Sequence, residues 1–410
     1  MRILLVHNYY QDPGGEDAVF HQEAEALRKK HTVELLTFRN RKGLIGLIQY
    51  FLYPYNIGAA FRLRQKIRAF SPDLIHIHNI HYASGPILFR TARRLKIPAV
   101  FTLHNYRLLC PSALLFYQGK RYMGSIGKTF PWDAVSKGVL DGSVPKTFLT
   151  AFTYRLHAWL GTWKNVDAFL PLTAYAKNLL LQGRLGIPEE HIHVKPNFIE
   201  PVAGPAEEEP AGSGENSSLK TITSEKQPGA IEPVPLQPVP AEDPYFLFIG
   251  RLSEEKGVHQ LLQSFNRPDA PPLRIIGDGP LRHLLNNLVN PGIRHLGYLS
   301  REKIGRYIAE SKGVVIPSIC LEGFPLALLE GFSLKTPVIL SKEVAASEVI
   351  RNGQNGFLID PQDFSEKIKE IYRNPDLKSV GEAGFKTYET SFTKEKVMHR
   401  LEDIYWQVLR

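Results

Sequence analysis

Cysteine is almost missing from this sequence. Cys110 and Cys320 are the only two in 410 residues, which excludes a disulfide framework and a cysteine-built metal site and fits a reducing cytoplasm. No secretory signal is evident, because Met1-Arg-Ile-Leu-Leu-Val runs straight into a strand-like apolar segment without a small-residue cleavage site, so export is not expected. Acids are scarce in one region: between Leu35 and Trp132 fifteen Lys or Arg face a single acid, Asp73. Aromatic residues are missing from another. The stretch from Pro201 to Pro244 is rich in Pro, Glu, Gly and Ser and cannot bury enough surface to offset the entropy of ordering, so a flexible insert is expected over 200–243. Its eight acids and two lysines from Pro201 to Asp243 give −6, which leaves +15 for the rest of a chain whose net charge is +9. A basic first half calls for an anionic partner such as a phospholipid surface. Nucleic acid is not expected, since no aromatic-basic recognition motif accompanies the charge. No internal repeat is visible.

What is present is ordinary globular material, 43% hydrophobic and 22% charged, at a length that favours two or three domains. Short apolar runs at Arg2 to His7, Val33 to Phe38, Leu74 to His78, Ala99 to His104 and Ala168 to Leu172 alternate with amphipathic stretches, the rhythm of a parallel sheet with helices on its faces. A second series starts at Tyr245 and continues through Leu273 to Ile276, Arg294 to Leu296, Gly313 to Ile316, Val338 to Leu340 and Gly356 to Ile359. The division expected is therefore 1–199, the insert, and 244–392. A final amphipathic helix over about 393–410 carries Val397, Leu401, Ile404 and Tyr405 on one side.

Leu44 to Phe61 is an uncharged run of 18 residues, but it contains Gln49, Pro54, Asn56 and three tyrosines and is flanked by Arg39, Arg41, Lys42, Arg62 and Arg64. That composition favours a helix lying on an anionic membrane surface over one crossing it; a core helix beside the binding cleft is the other reading. His76 and His78 alternate along one strand and are expected on opposite faces. With no clustered acid beside them, no metal site is expected.

The residues with the most chemical content lie in Pro317-Ser-Ile-Cys-Leu-Glu322-Gly-Phe-Pro-Leu-Ala-Leu-Leu-Glu330, where seven residues around a Gly-Phe-Pro turn separate two carboxylates. With Pro325 at the first position of a helix, Glu322 precedes the helix and Glu330 sits inside it, and the amides between them suit phosphate oxygens. This segment closely resembles the E-x7-E signature of the retaining family 4 glycosyltransferases. Ile249-Gly250-Arg251-Leu252 with Lys256-Gly257, Ile276-Gly277-Asp278-Gly279-Pro280 and Pro196-Asn197-Phe198-Ile199 resemble three further motifs of that family in the same order. The resemblance implies a GT-B fold, two doubly wound Rossmann-like domains facing across a cleft, with the last helix returning to the first domain. It implies a metal-independent enzyme without a cofactor, which moves a sugar from a UDP- or GDP-sugar to a glycan or lipid-linked acceptor in cell-surface glycan biosynthesis, at the inner face of the cell membrane.

The resemblance also assigns roles. Arg251 and Lys256 would clamp the donor diphosphate, Glu330 would hold the ribose hydroxyls, and Glu322 would meet the transferred sugar, with Gly323, Phe324 and Leu326 completing the donor site. Gly14 and Gly15 would form the glycine loop near the diphosphate, and His104 would stand beside the reacting centre. The sequence departs from the family at Lys335, where a glycine often precedes the Thr-Pro-Val turn, and at Ala345-Ala346. Two other readings remain open on the same scaffold: a nucleotide-sugar epimerase and a non-catalytic, membrane-associated assembly factor.

Overall fold

The computed structural model describes residues 1–11, 14–200 and 244–410; the insert expected over 200–243 lies, but for Glu200, outside them. The first sheet is wholly parallel. It is built from β1 (Arg2–Tyr9), β2 (Thr32–Arg39), β3 (Leu74–Ile77), β4 (Ala99–Leu103) and, after a two-stranded antiparallel ribbon of β5 (Phe116–Tyr117) and β6 (Lys120–Arg121), β7 (Ala168–Pro171). Its strand order is β2-β1-β3-β4-β7. The second sheet, also parallel, comprises β8 (Phe246–Ile249), β9 (Leu273–Ile276), β10 (Ile293–Gly297), β11 (Gly313–Ile316), β12 (Val338–Ser341) and β13 (Phe357–Ile359) in the order β10-β9-β8-β11-β12-β13. In both sheets the winding reverses beside the first strand, between β1 and β3 and between β8 and β11. Ligands bind outside the carboxyl ends of the strands at such a switch point.

Strand alternation divides the cores. Along β1, Leu4 and Val6 face the helices Gly43–Leu52 to Ile87–Arg94 side of the sheet with Leu63, Ile67 and Phe89, while Ile3 and Leu5 face the other side with Phe20 and Leu27. On that second side lies the last helix, Lys394–Leu409, whose Val397, Met398, Leu401, Ile404 and Tyr405 are buried against Leu74, Val100 and Leu170. The chain thus crosses between the sheets twice.

The uncharged run is not one helix. It divides into Gly43–Leu52, a 3-10 turn at Tyr53–Tyr55 containing Pro54, and the start of Ile57–Phe70. No helix among the described residues is long and apolar enough to cross a membrane. The helix Gly43–Leu52 buries none of its residues, with Leu44 74% and Phe51 68% exposed.

Candidate active site

At the switch point of the second sheet, the turn after β8 carries Arg251, exposed, and then a 3-10 turn, Glu254–Lys256, that ends in Gly257. Gly257 adopts φ +72°, and a Cβ there would lie 2.0 Å from the Pro317 carbonyl oxygen; only glycine lets the β8 turn press against the loop after β11. That contact brings two distant motifs together. Lys256 Nζ reaches Glu322 Oε1 at 2.5 Å, and Ser318 Oγ donates to Glu322 Oε2 at 2.8 Å. The carboxylate beside it helps hold the Lys256 pKa above the ordinary lysine value even though burial, the larger influence, pulls it down.

The helix after Glu322 spans Leu326–Ser333, with Pro325 at its N-cap. The expected start is therefore one residue early: Pro325 has ψ 133°, extended rather than helical. Phe324 is buried among Leu328, Phe332 and Phe392 and shapes the core beneath the turn. Leu326 is partly buried at its edge. Burial raises the Glu330 pKa, with Arg301 opposing it, and the Glu330 carboxylate accepts no hydrogen bond from any described residue. A second tight approach supports this floor: Gly277, at φ +125°, would put a Cβ 2.0 Å from the Gly250 oxygen, so the two turns touch backbone to backbone.

The first sheet supplies the facing wall. A Cβ on Gly323 would meet Leu172 Cδ1 at 3.4 Å and the His104 carbonyl oxygen at 3.6 Å, so His104, immediately after β4, stands across from the Glu322–Gly323 turn. Gly14 and Gly15 are exposed with open space around them, and Asp17 accepts from the Gly14 amide at 3.0 Å and contacts His7 Nε2 at 2.7 Å. Glu16, in the same turn, accepts from Asn79 Nδ2 at 2.8 Å across the β1–β3 switch point. Burial and the neighbouring Asp17 push its pKa up to about 8. Between the sheets, Glu348 accepts from the Ala174 and Tyr175 amides at 2.8 Å each, Asn197 Nδ2 donates to the Phe324 oxygen at 3.0 Å, and Arg121 lies 3.7 Å from Glu343.

Behind His104 lies a cluster that corrects the reading of His76 and His78. Residues two apart on a strand share a face, and their rings are 4.4 Å apart with Glu23 Oε1 3.1 Å from both. An acid is therefore clustered there, contributed by the helix Gly15–Arg28. It also pairs with the buried Lys195. His76 is further tied to Tyr405 (2.6 Å) and Thr102 (2.7 Å), and His78 Nδ1 to His104 Nε2 (3.0 Å). Every nitrogen of the two histidines thus has a protein partner. The Lys195 ammonium supplies the positive charge that Glu23 needs, so the group is charge-balanced as it stands. The lysine holds the Glu23 pKa well below the carboxylate range against its burial, and burial lowers that of His78 to about 3. A neutral His78 that donates Nε2–H to Glu23 must accept at Nδ1, so His104 donates its Nε2–H there. The Nδ1 of His104 is left as a lone-pair acceptor. Burial, with His78 and Lys195 beside it, keeps that ring neutral.

Residues 236–387 match the family described as Glycosyl transferases group 1, and residues 13–202 match Glycosyltransferase Family 4. The chain belongs to these glycosyltransferases. Among curated relatives, an uncharacterized glycosyltransferase of Methanocaldococcus jannaschii is 30% identical over 39% of this chain and 47% of its own. The capsular polysaccharide biosynthesis glycosyltransferase CapM of Staphylococcus aureus is 26% identical over 38% of this chain and 44% of its own. These alignments therefore span under half of the relatives' lengths. Solved structures extend the likeness in fold to the whole chain: Anabaena HepE in complex with UDP and glucose has a TM-score of 0.65 at 14% identity, covering 99% of this chain and 100% of that one. Sucrose-phosphate synthase from Thermosynechococcus elongatus has a TM-score of 0.68 at 16% identity, covering 99% of this chain and 98% of that one. The GT-B architecture of this glycosyltransferase is thus that of its structural neighbours.

Sequence reasoning missed Glu16, Glu23, Arg107 and Lys195. Arg107 is half-buried beside Tyr10 and Tyr154 and donates to the Pro111 oxygen at 2.8 Å.

Proposed function

We propose that this chain is a retaining, metal-independent glycosyltransferase that takes a UDP- or GDP-sugar and elongates a lipid-linked or polysaccharide acceptor in cell-surface glycan biosynthesis. It would work as a peripheral protein at the inner face of the cell membrane. The observation that carries the reading is the Lys256–Glu322 pair at the switch point of the second sheet, at the mouth of the helix Leu326–Ser333 and across from His104. In the reaction the anomeric carbon–oxygen bond to the diphosphate breaks while the acceptor oxygen bonds the same face of that carbon, and the acceptor proton passes to a phosphate oxygen of the leaving nucleotide. Lys256 and Arg251 stabilise the departing diphosphate. Helix amides after Pro325 add to their field, Glu322 and Gly323 seat the sugar, and Glu330 accepts from the ribose hydroxyls. The neutral His104 offers a lone pair to a sugar hydroxyl. Names of relatives such as the O-antigen chain mannosyltransferase C of Escherichia coli support the glycan assignment.

The test begins with thermal stabilisation by UDP, GDP, ADP and dTDP and their sugars, since a ligand that binds only the folded state raises Tm by mass action. One nucleotide should stand out. Lys256→Ala, Arg251→Ala and Glu330→Ala should each lower transfer about 10²–10³-fold, the effect of removing one charge-stabilising group. Near-normal turnover in all three would end the assignment, and release of free nucleotide without any acceptor would favour another reaction on this fold.

A further inference from the structure

A cavity of about 390 Å³ opens at the carboxyl ends of β1 and β2, lined by Tyr9, Thr37, Arg39, Arg41, Gln49 and Arg62 among others. Two of its arginines are fixed without help from any acid. Arg39 lies over the Tyr9 ring at 5.5 Å; Arg62 lies over the Phe38 ring at 4.4 Å and donates to the Thr37 oxygen at 3.0 Å. None of the three pairs with a described carboxylate. Gln49 joins this pocket to the helix Gly43–Leu52, donating to the Arg39 oxygen at 3.0 Å and accepting from the Arg41 amide at 2.9 Å. That helix carries Leu44, Ile45, Leu47, Ile48, Phe51 and Leu52 at exposures of 48–74%. Its Tyr50 hydroxyl donates to the Pro145 oxygen at 2.6 Å, which brings it beside the helix Val144–Trp159 with exposed Val144 and Phe148.

We propose that this pocket binds the diphosphate head group of a membrane lipid, whose hydrocarbon chain enters the bilayer along the exposed face of Gly43–Leu52. The inference deepens the acceptor reading above and rests on it. Charge complementarity selects the occupant. Three guanidinium forks around one cavity match the two to three negative charges of a diphosphate ester, whereas an ordinary phospholipid diester presents one. An uncovered apolar helix tied by a glutamine to that cavity places hydrocarbon and phosphate side by side, as a lipid does. The position suits an acceptor, because the pocket opens at the same end of the sheet as Gly14, Glu16 and His104.

The experiment is co-sedimentation of the full chain with phosphatidylcholine vesicles that contain a long-chain prenyl diphosphate, against vesicles matched in charge with phosphatidylglycerol. Binding to the diphosphate vesicles should be at least tenfold tighter, and inorganic pyrophosphate should compete. The Arg39→Ala/Arg62→Ala variant should lose that preference and keep its nucleotide-induced Tm shift, while Ile48→Asp/Phe51→Asp should lose both vesicle types. Equal binding to the two vesicle types, or a preference that survives loss of the arginines, would overturn the proposal, as would no binding to either. No sugar moves in this assay. A chain that shows the arginine-dependent preference but transfers nothing defeats the acceptor reading alone, and an active enzyme without the preference defeats this inference alone.

Discussion

Glu23 shows how a single side chain can determine the chemistry of another that it does not touch. By accepting from His78 it sets the tautomer of that ring, and through it the face that His104 presents. Its own charge is tolerated because Lys195 is buried beside it. Glu23→Ala should therefore cost about 3–5 kcal/mol in urea unfolding, since it strands an ammonium in the core. The Glu23→Leu/Lys195→Met pair, which strands no charge, should cost much less. Glu16 makes the opposite case. Its pKa is raised to about 8, so the folded state binds its proton more tightly than the unfolded chain does. Its contribution to stability is complete below the ordinary carboxylate range and is lost as pH climbs from about 4.5 to 8. Glu16→Gln should remove that decline, and the difference between variant and parent in unfolding free energy at pH 5 and pH 9 should exceed the roughly 1.4 kcal/mol that one pKa unit represents.

At the scale of elements, the turns after β8 and β11 form a site only because Gly257 permits their contact. Gly257→Ala combines a left-handed backbone with a clash against Pro317; it should destabilise the fold by more than about 2 kcal/mol and weaken nucleotide-induced stabilisation by moving Lys256. This floor was legible in the sequence because each motif is local: E-x7-E is one turn and one helix, and Lys256-Gly257 is one turn. Lys335 shows the same legibility from the other side, since the position where the resemblance led us to expect a glycine does take a left-handed φ of 58°. The facing wall was harder to read. His104 could be placed at a strand end, but Glu23 and Lys195 are 172 positions apart, and no periodicity reports that pairing. The parity of His76 and His78 was available and was misjudged, because a period of two puts both on one face.

At the scale of the whole molecule, the last helix completes the first domain from the far end of the chain. Tyr405 is fully buried, with its hydroxyl 2.6 Å from His76 Nδ1, so the polar core behind His104 is closed by a residue that follows the second domain. Tyr405→Phe should cost about 1–2 kcal/mol, the penalty for leaving a buried partner unsatisfied. Removal of 394–410 should give a protein that aggregates or melts early, because it uncovers Ile3, Leu5, Val100 and Leu170; light scattering and calorimetry would report it.

The two passages of the chain between domains also run side by side. Lys394 pairs with Glu200, Arg301 donates to the Glu200 oxygen at 2.6 Å, and the Tyr388 hydroxyl meets the Ile199 oxygen at 3.4 Å. Two adjacent tethers behave like two pins on one line, and they leave a swing about that line as the easy relative movement of the halves. Away from that line the halves are joined by other bonds, above all the clasp of Glu348 on the first amides of the helix Ala174–Gln182. Such a swing would pull on that glutamate.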